Sequence, residues 1–540
     1  MNILIVDDQQ SDYSKFSEKL LQDYPGYRIE YAKDAIEGIK LLNDRCFDIL
    51  VLDQFMGSPG KNGTDLLRGM KGMKSQDWPE IIFVTANYKE MPAEEIISQN
   101  IPIALFIEKD PFFFDMLYRG VLLVIKRKTG GTQYHPNDLF GEAFIDLIID
   151  EANIAIASAD FPGYVSQSQK IQIVTLIRSY MGSLRMRSEW DEEDVLELSI
   201  FFAEGLCKIF NIPENLIEIL RKFLNIEEIL YTIPHYRDHF FHQLKVFFLG
   251  FCIISKLNRE KLLLNTILKE DTGIKTWFIT SLFHDIGYPF EKMNVWLNSF
   301  IEGVLKSPEE KIEDTFQIPI HFHWGALFGK KYHWFHLEKI ISNVCDTYGT
   351  KSSSHYAELI SDVASFVSEK PDHGIFSSLI IQNFLRKDLT VEEIGPISVA
   401  IALHNGAISD LIRQLLDQPF SFGKDPLSFL LAYCDMAQDW GRIRPSIDKS
   451  KGYSKFGFPI FTNSRIFDFE KKKVNVDLCY TKYFSAREKK DWHNTVFTKH
   501  ITPMRGNWSS MRSEHPFINF SITYFFKDGD KNVRLDSLEL

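Results

Sequence analysis

Four short apolar runs in the first 127 residues, each followed within two positions by a polar residue, limit this part of the chain to very few folds. They are Asn2–Val6, Asp48–Leu52, Ile81–Val84 and Ile103–Ile107. Segments with helical spacing, such as Ser14–Leu21 and Ala35–Leu42, lie between them. Strands alternating with helices imply a parallel sheet wrapped on both faces. In such a sheet the functional residues gather at the carboxyl ends of the strands. Asp7, Asp8, Asp53, Thr85 and Lys109 all stand at such ends. Three carboxylates converging there repel one another unless a cation or Lys109 joins them. Three solvated loop acids would be the plainer explanation, but five polar residues at successive strand ends argue against it.

At 540 residues the chain is too long for one core, and about three to four domains is the expectation. Basic residues number 61 and acidic ones 73, a net charge of −12, which argues against a generic nucleic-acid binder. Six cysteines (Cys46, Cys207, Cys252, Cys345, Cys434 and Cys479) are scattered without a CxxC pair. That pattern fits reduced, mostly buried thiols in a cytosolic protein. The N-terminus runs straight into a folded pattern, so no signal peptide is expected. The longest apolar runs, such as Val246–Ile254, are too short to span a bilayer. A cytoplasmic protein without a membrane span is expected.

Residues 1–127 resemble a response-regulator receiver domain, on Asp7, Asp8, Asp53, Thr85 and Lys109. The resemblance implies a doubly wound five-stranded parallel sheet. It also implies that Asp53 is the phosphoacceptor, that Asp7, Asp8 and Asp53 hold Mg²⁺, and that Thr85 and Lys109 contact the phosphoryl group. The implied partner is a sensor histidine kinase or a phosphotransfer protein. Two departures stand out: the loop Gln54–Gly63 is about two residues longer than the usual form, and the family's switch aromatic is Phe106, which has no hydroxyl.

Lys128–Asn137 is polar and glycine-rich, a hinge after the last receiver helix. The pattern from Asp138 to about Asn225 is helical, and the acids of Ser188–Asp194 suit a helix start. Residues 128–229 are therefore expected to be a helical connector, offering a surface for a homodimer.

Further on, polar residues punctuate apolar helical stretches. Phe283-His284-Asp285-Ile286-Gly287-Tyr288-Pro289 places an imidazole and a carboxylate on adjacent residues, where Gly287 and Pro289 stop a helix. Asp238, His239 and His242 precede it, with His239 and His242 sharing a helix face. His321, His323, His404 and Asp435 follow. A buried His or Asp without partners is costly, and several in separate helices make sense if they meet on a metal.

This order resembles the HD superfamily of metal-dependent phosphohydrolases over residues 230–445. By that resemblance His242, His284, Asp285 and Asp435 are metal ligands, with Asp285 bridging. His321 and His404 would complete a second ion, and His323 lies close enough to His321 to take its place. One or two divalent transition metals (Mn, Fe, Ni or Zn) are implied, with a nucleotide or other phosphoester as substrate. Two cations roughly 3.5–4 Å apart can clamp a phosphate and lower the pKa of a water between them. Asp285, Asp238, His239 and Lys292 are the candidate catalytic residues, the last three binding phosphate or shuttling a proton.

Other histidines, His373 among them, lack a matching context and are expected to be structural or exposed. Gly287-Tyr288-Pro289 spells the tripeptide of the cyclic-dinucleotide phosphodiesterase branch, but His404-Asn405-Gly406-Ala407 stands where that branch has its own motif. A cyclic dinucleotide is thus the second choice of substrate. A non-catalytic scaffold or nucleotide sensor on the same fold is the other alternative.

Residues 446–540 change texture. Phe458–Phe469, Lys473–Tyr480 and Phe517–Phe526 are β-branched and aromatic, and Asp528-Gly529 is a turn signal, so a small antiparallel sheet is expected.

Overall fold

The computed structural model describes all residues except 57–61, 74–77, 87–102, 110–112, 130–139, 158–165, 186–191, 231–238, 264–267, 269–272, 293–331, 350–355, 359, 364, 366–371, 386–387, 405, 417–419, 439–458, 464, 469, 481–482, 502–507, 510–517 and 530. The chain forms two compact units. The first holds residues 1–138, 145–161 and 165–212, and the second holds 139–144, 162–164 and 213–540.

The first unit is built on five strands: β1 (Asn2–Val6), β2 (Arg28–Ala32), β3 (Ile49–Asp53), β4 (Glu80–Thr85) and β5 (Leu105–Glu108). Their order is β2-β1-β3-β4-β5, and every neighbouring pair is parallel. The four apolar runs of the sequence are β1, β3, β4 and β5. Their side chains are buried on both faces, as helices on both sides of a parallel sheet require. β2, reading Arg-Ile-Glu-Tyr-Ala, sits at the sheet edge and so carries no continuous apolar run.

The helices Gln167–Arg185 and Glu192–Ile209 belong to this same unit, although they fall in the stretch expected as connector. Both pack against β5, and the second also packs against the helix Phe113–Thr129. The Ser179 hydroxyl donates to the Ile103 carbonyl at 2.5 Å, satisfying a backbone acceptor beside the edge strand β5.

The second unit is centred on the helix Phe240–Arg259. It packs against Gly273–Phe283 and Pro426–Ala437, and both of these also meet Val391–Leu403. By length and composition Phe240–Arg259 could cross a membrane, being longer than the Val246–Ile254 run the sequence suggests; 94% of its apolar window is buried inside the protein. It is apolar all round because it is surrounded by protein. Trp277 donates its indole N–H to the Phe247 carbonyl at 2.9 Å and lies directly on Gly250.

The C-terminal strands differ from the expected antiparallel sheet. Here β6 is Phe420–Ser421, β7 Ile460–Phe461, β8 Phe467–Asp468, β9 Lys473–Tyr480, β10 Trp508–Ser509, β11 Asn519–Asp528 and β12 Lys531–Glu539. β11 and β12 form an antiparallel hairpin at Gly529, and β7 and β8 pair antiparallel with β9. β9 and β11, however, are parallel. A parallel pair needs a long crossover, and the helix Ala486–Trp492 with the π-helix His493–Ile501 supplies part of it. β10 pairs with β6, and the Tyr433 hydroxyl donates to the Ser521 carbonyl at 2.8 Å, so this region is continuous with the helical part.

A Cβ on Gly250 would stand 1.9 Å from the Trp277 ring. Gly250→Ala is expected to destabilise the second unit by about 1–3 kcal/mol or more, read as a lowered urea midpoint with an unchanged slope.

Candidate functional site

The carboxyl ends of β1, β3 and β4, with the residue just after β5, place Asp7, Asp53, Thr85 and Lys109 together. Lys109 Nζ lies 2.5 Å from Asp7 Oδ2 and 3.2 Å from Asp53 Oδ1. The second Asp53 oxygen accepts from the Phe55 amide at 3.0 Å, while Asp7 accepts from the Gln9 amide at 2.7 Å. Thr85 is buried and its carbonyl accepts from the Lys109 amide at 2.8 Å; Asp8 is exposed at the rim. Burial pushes the Asp53 carboxyl up to about 6 against the pull of Lys109, with neighbouring Asp7 adding to the rise. Tyr13, which no sequence pattern marks, donates its hydroxyl to Asp7 Oδ2 at 2.7 Å. Phe106 is buried beside Phe83, their ring centroids 5.8 Å apart.

In the second unit, separate helices bring imidazoles around two carboxylates. The helix Gly273–Phe283 ends just before His284 and Asp285, as Gly287 and Pro289 imply. Gly287 has a second purpose. Its amide donates to the Ser377 hydroxyl at 2.8 Å, and a Cβ there would lie 2.6–2.7 Å from the first turn of the helix His373–Leu385. Only glycine lets these two segments approach so closely.

Asp285 is 5% exposed and lies among five histidines. Its Oδ2 is 2.9 Å from His239 Nδ1, 3.5 Å from His284 Nε2 and 3.8 Å from His242 Nε2. Its Oδ1 is 3.4 Å from Nε2 of both His373 and His404. Asp435 Oδ1 stands 2.6 Å from His242 Nε2 and 3.7 Å from His284 Nε2. Burial would raise both carboxyls, yet His284, His239 and His404 hold Asp285 well below the usual range, and His242 and His284 do the same for Asp435.

Each imidazole that turns Nε2 toward these carboxylates has its Nδ1 tied elsewhere. His284 Nδ1 donates to the Ser281 carbonyl at 2.8 Å and His404 Nδ1 to the Ile401 carbonyl at 2.5 Å. His242 Nδ1 bonds Gln438 Oε1, and His373 Nδ1 bonds Glu291 Oε2 at 2.6 Å. Such bonds fix the ring orientation and turn Nε2 into the pocket, as an N–H toward the carboxylates or, once deprotonated, as a lone pair toward an ion. Ligand atoms of His242, His284 and Asp435 lie within 4.8 Å of one another, as do those of His284, Asp285 and His404. Lys292 Nζ is 2.6 Å from Glu291 Oε1 and 4.8 Å from the Tyr288 ring centre.

Asp238, His321 and His323 lie outside the described residues. His373, expected to be structural or exposed, instead faces Asp285. It opens an apolar helix, as His404 closes one, so the signal was in the sequence but lacked a motif around it. Glu291 and Gln438 carried no signal; they matter through the histidines they bond.

Because folding raises the Asp53 carboxyl, its ionisation opposes stability progressively as pH climbs from about 4 to 6, and fully above that. Asp53→Asn is expected to stabilise the chelator-treated protein above pH 6 by at most about 3 kcal/mol, seen as a higher Tm, with the gain vanishing toward pH 4.

Residues 3–111 match the sequence model of the response regulator receiver domain. Similar solved structures include the receiver domain of a Francisella response regulator, 1452 (23% identity, 24% of this chain and 98% of that one, TM-score 0.20). Others are the non-phosphorylated HemR receiver domain of Leptospira biflexa (29%, 25% and 98%, 0.20) and the response regulator TrrA of Thermotoga maritima with Mg²⁺-BeF (25%, 23% and 97%, 0.19). The family match and the strand order agree: the N-terminal part of this chain is a response regulator receiver domain, which marks it as a protein of phosphorylation-regulated two-component signalling.

Proposed function

We propose that the helical part of the second unit is an HD-type metal-dependent phosphohydrolase acting on a nucleotide or other phosphoester, and that phosphorylation of Asp53 regulates it. The observation that carries this reading is the convergence of His242, His284, His373 and His404 on Asp285 and Asp435, each with Nδ1 already engaged. The Nε2 atoms of His284 and His404 are buried and reach no acceptor in hydrogen-bonding geometry, although carboxylate oxygens stand 3.4–3.7 Å away. Buried polar nitrogens of this kind are costly unless something fills the space between them. A nitrogen and carboxylate donor set suits Mn, Fe, Ni or Zn.

His242, His284 and Asp435 would hold one ion and His404 and His373 a second, with Asp285 serving both. Bound there, the ions would supply Lewis acidity toward a phosphate ester. His239 holds Asp285 through its 2.9 Å bond, keeping both carboxylate oxygens oriented. Lys292, beside Tyr288, brings a cation to the same end of the pocket for a substrate phosphate.

In the receiver, Asp7, Asp8 and Asp53 would hold Mg²⁺ while Asp53 takes a phosphoryl group from a histidine kinase or phosphotransfer protein. Lys109, now shared between Asp7 and Asp53, would then pair with the phosphoryl group, as would the Thr85 hydroxyl. The helices Gln167–Arg185 and Glu192–Ile209 lie against β5, the strand that bears Phe106, and would read the change.

The test is metal analysis with a panel of nucleoside phosphates, cyclic nucleotides and cyclic dinucleotides, on wild type and Asp285→Ala, with and without a phosphoryl donor. Bound transition metal and turnover are expected in the wild type. Turnover should fall on the order of a thousandfold or more in the variant, since a ligand shared by both ions is lost. Wild-type protein that holds no metal and turns over nothing would leave a scaffold. Addition of a donor should change the rate in the wild type and leave Asp53→Asn unaffected.

A further inference from the structure

His373 enters the site by an unusual route. It opens the helix His373–Leu385, where Asp372 caps the first turn by accepting from the Ile375 amide at 2.9 Å. Its Nδ1 bonds the carboxylate of Glu291, six residues beyond Asp285. A carboxylate is acceptor-only, so the 2.6 Å bond puts a proton on Nδ1 and aims Nε2 at Asp285 Oδ1, 3.4 Å away, the atom that on losing its proton offers a lone pair to an ion. The other Glu291 oxygen is 2.6 Å from Lys292 Nζ. Lys292 lies over the Tyr288 ring, whose own neighbours are His239, 3.6 Å between centroids, and His373, 5.3 Å. One carboxylate therefore joins an imidazole of the pocket to the cation beside it.

We propose that Glu291 is a positioning residue: it fixes His373 as a ligand of the second ion and ties that ligand to Lys292. This rests on the metal-site reading above. Partners that orient a ligating histidine affect metal affinity nearly as strongly as ligands do, by about 10–100-fold. The His242, His284 and His404 imidazoles take their orientation from Gln438 and main-chain carbonyls, so loss of Glu291 affects the ion held by His373 and spares the other.

The experiment counts metal per chain after dialysis and titrates the full-length protein with a competing chelator. The d–d absorption of the Co²⁺-substituted form is recorded in parallel. Wild type is expected to hold two ions. Glu291→Ala and His373→Ala should each weaken one ion about 10–100-fold, leaving near one per chain, with a changed Co²⁺ spectrum. Glu291→Gln, whose amide oxygen still accepts from Nδ1, should recover most of the affinity, and Lys292→Met should keep both ions. Wild-type affinity for both ions in Glu291→Ala overturns the proposal, and so does a loss in the Gln variant as large as in the Ala variant. Wild-type protein without metal removes the site reading itself, and the role of Glu291 with it, an outcome distinct from either of those. The near-isosteric Gln variant keeps the test informative should the Ala variant not fold.

Discussion

The carboxylate of Asp285 is the constraint around which the second unit is arranged. An isolated ionised carboxylate in a helical core is costly, several kcal/mol even after relaxation. Here that cost is offset by imidazoles delivered from separate pieces of chain: His239 and His242 at the start of the central helix, His284 beside Asp285, and His373 and His404 at helix ends. Gly250 and Gly287 serve the same end at the level of backbone. The first lets Trp277 close the helix Gly273–Phe283 onto the central helix, and the second brings the His373 turn onto the loop after Asp285. The packing of the core and the chemistry of the pocket are thus one problem, solved by the same residues.

The receiver meets a similar difficulty in another way. Asp7 and Asp53 are both buried at one end of a parallel sheet, and one cation, Lys109, is divided between them. Its pull does not fully answer the burial of Asp53, whose carboxyl is pushed up to about 6. A doubly acidic pocket that is under-neutralised has room for added positive charge.

Much of the first unit was legible because its strands are buried on both faces and read as unbroken apolar runs. β2 escaped for the opposite reason, being an edge strand with polar residues. Of the candidate metal site, His284 and Asp285 were legible through the glycine and proline that follow them, and His404 and Asp435 through their isolation on apolar helices. His373 carried that same mark yet lay outside any motif. Glu291 and Gln438 were not legible at all, since a side chain that orients another one has no periodicity or spacing of its own. The parallel pairing of β9 and β11 was hidden for a related reason. Strand sequences fix which side chains are buried, while the direction of pairing depends on the crossover between them.

The four imidazoles that turn Nε2 to the pocket are also of two kinds as regards chain topology. His284 and His404 take their orientation from carbonyls three residues earlier, so their rings are set as soon as their own helices form. His242 depends on Asp435 and Gln438, which are 193 and 196 residues away. Contacts of such sequence separation carry a large loop-closure entropy and form late in folding. The pocket is therefore completed only when the helix Pro426–Ala437 docks, near the end of the helical region. No fragment that stops short of Gln438 contains it, and during synthesis the chain passes through a long interval in which half of the imidazoles are aimed and the site does not yet exist.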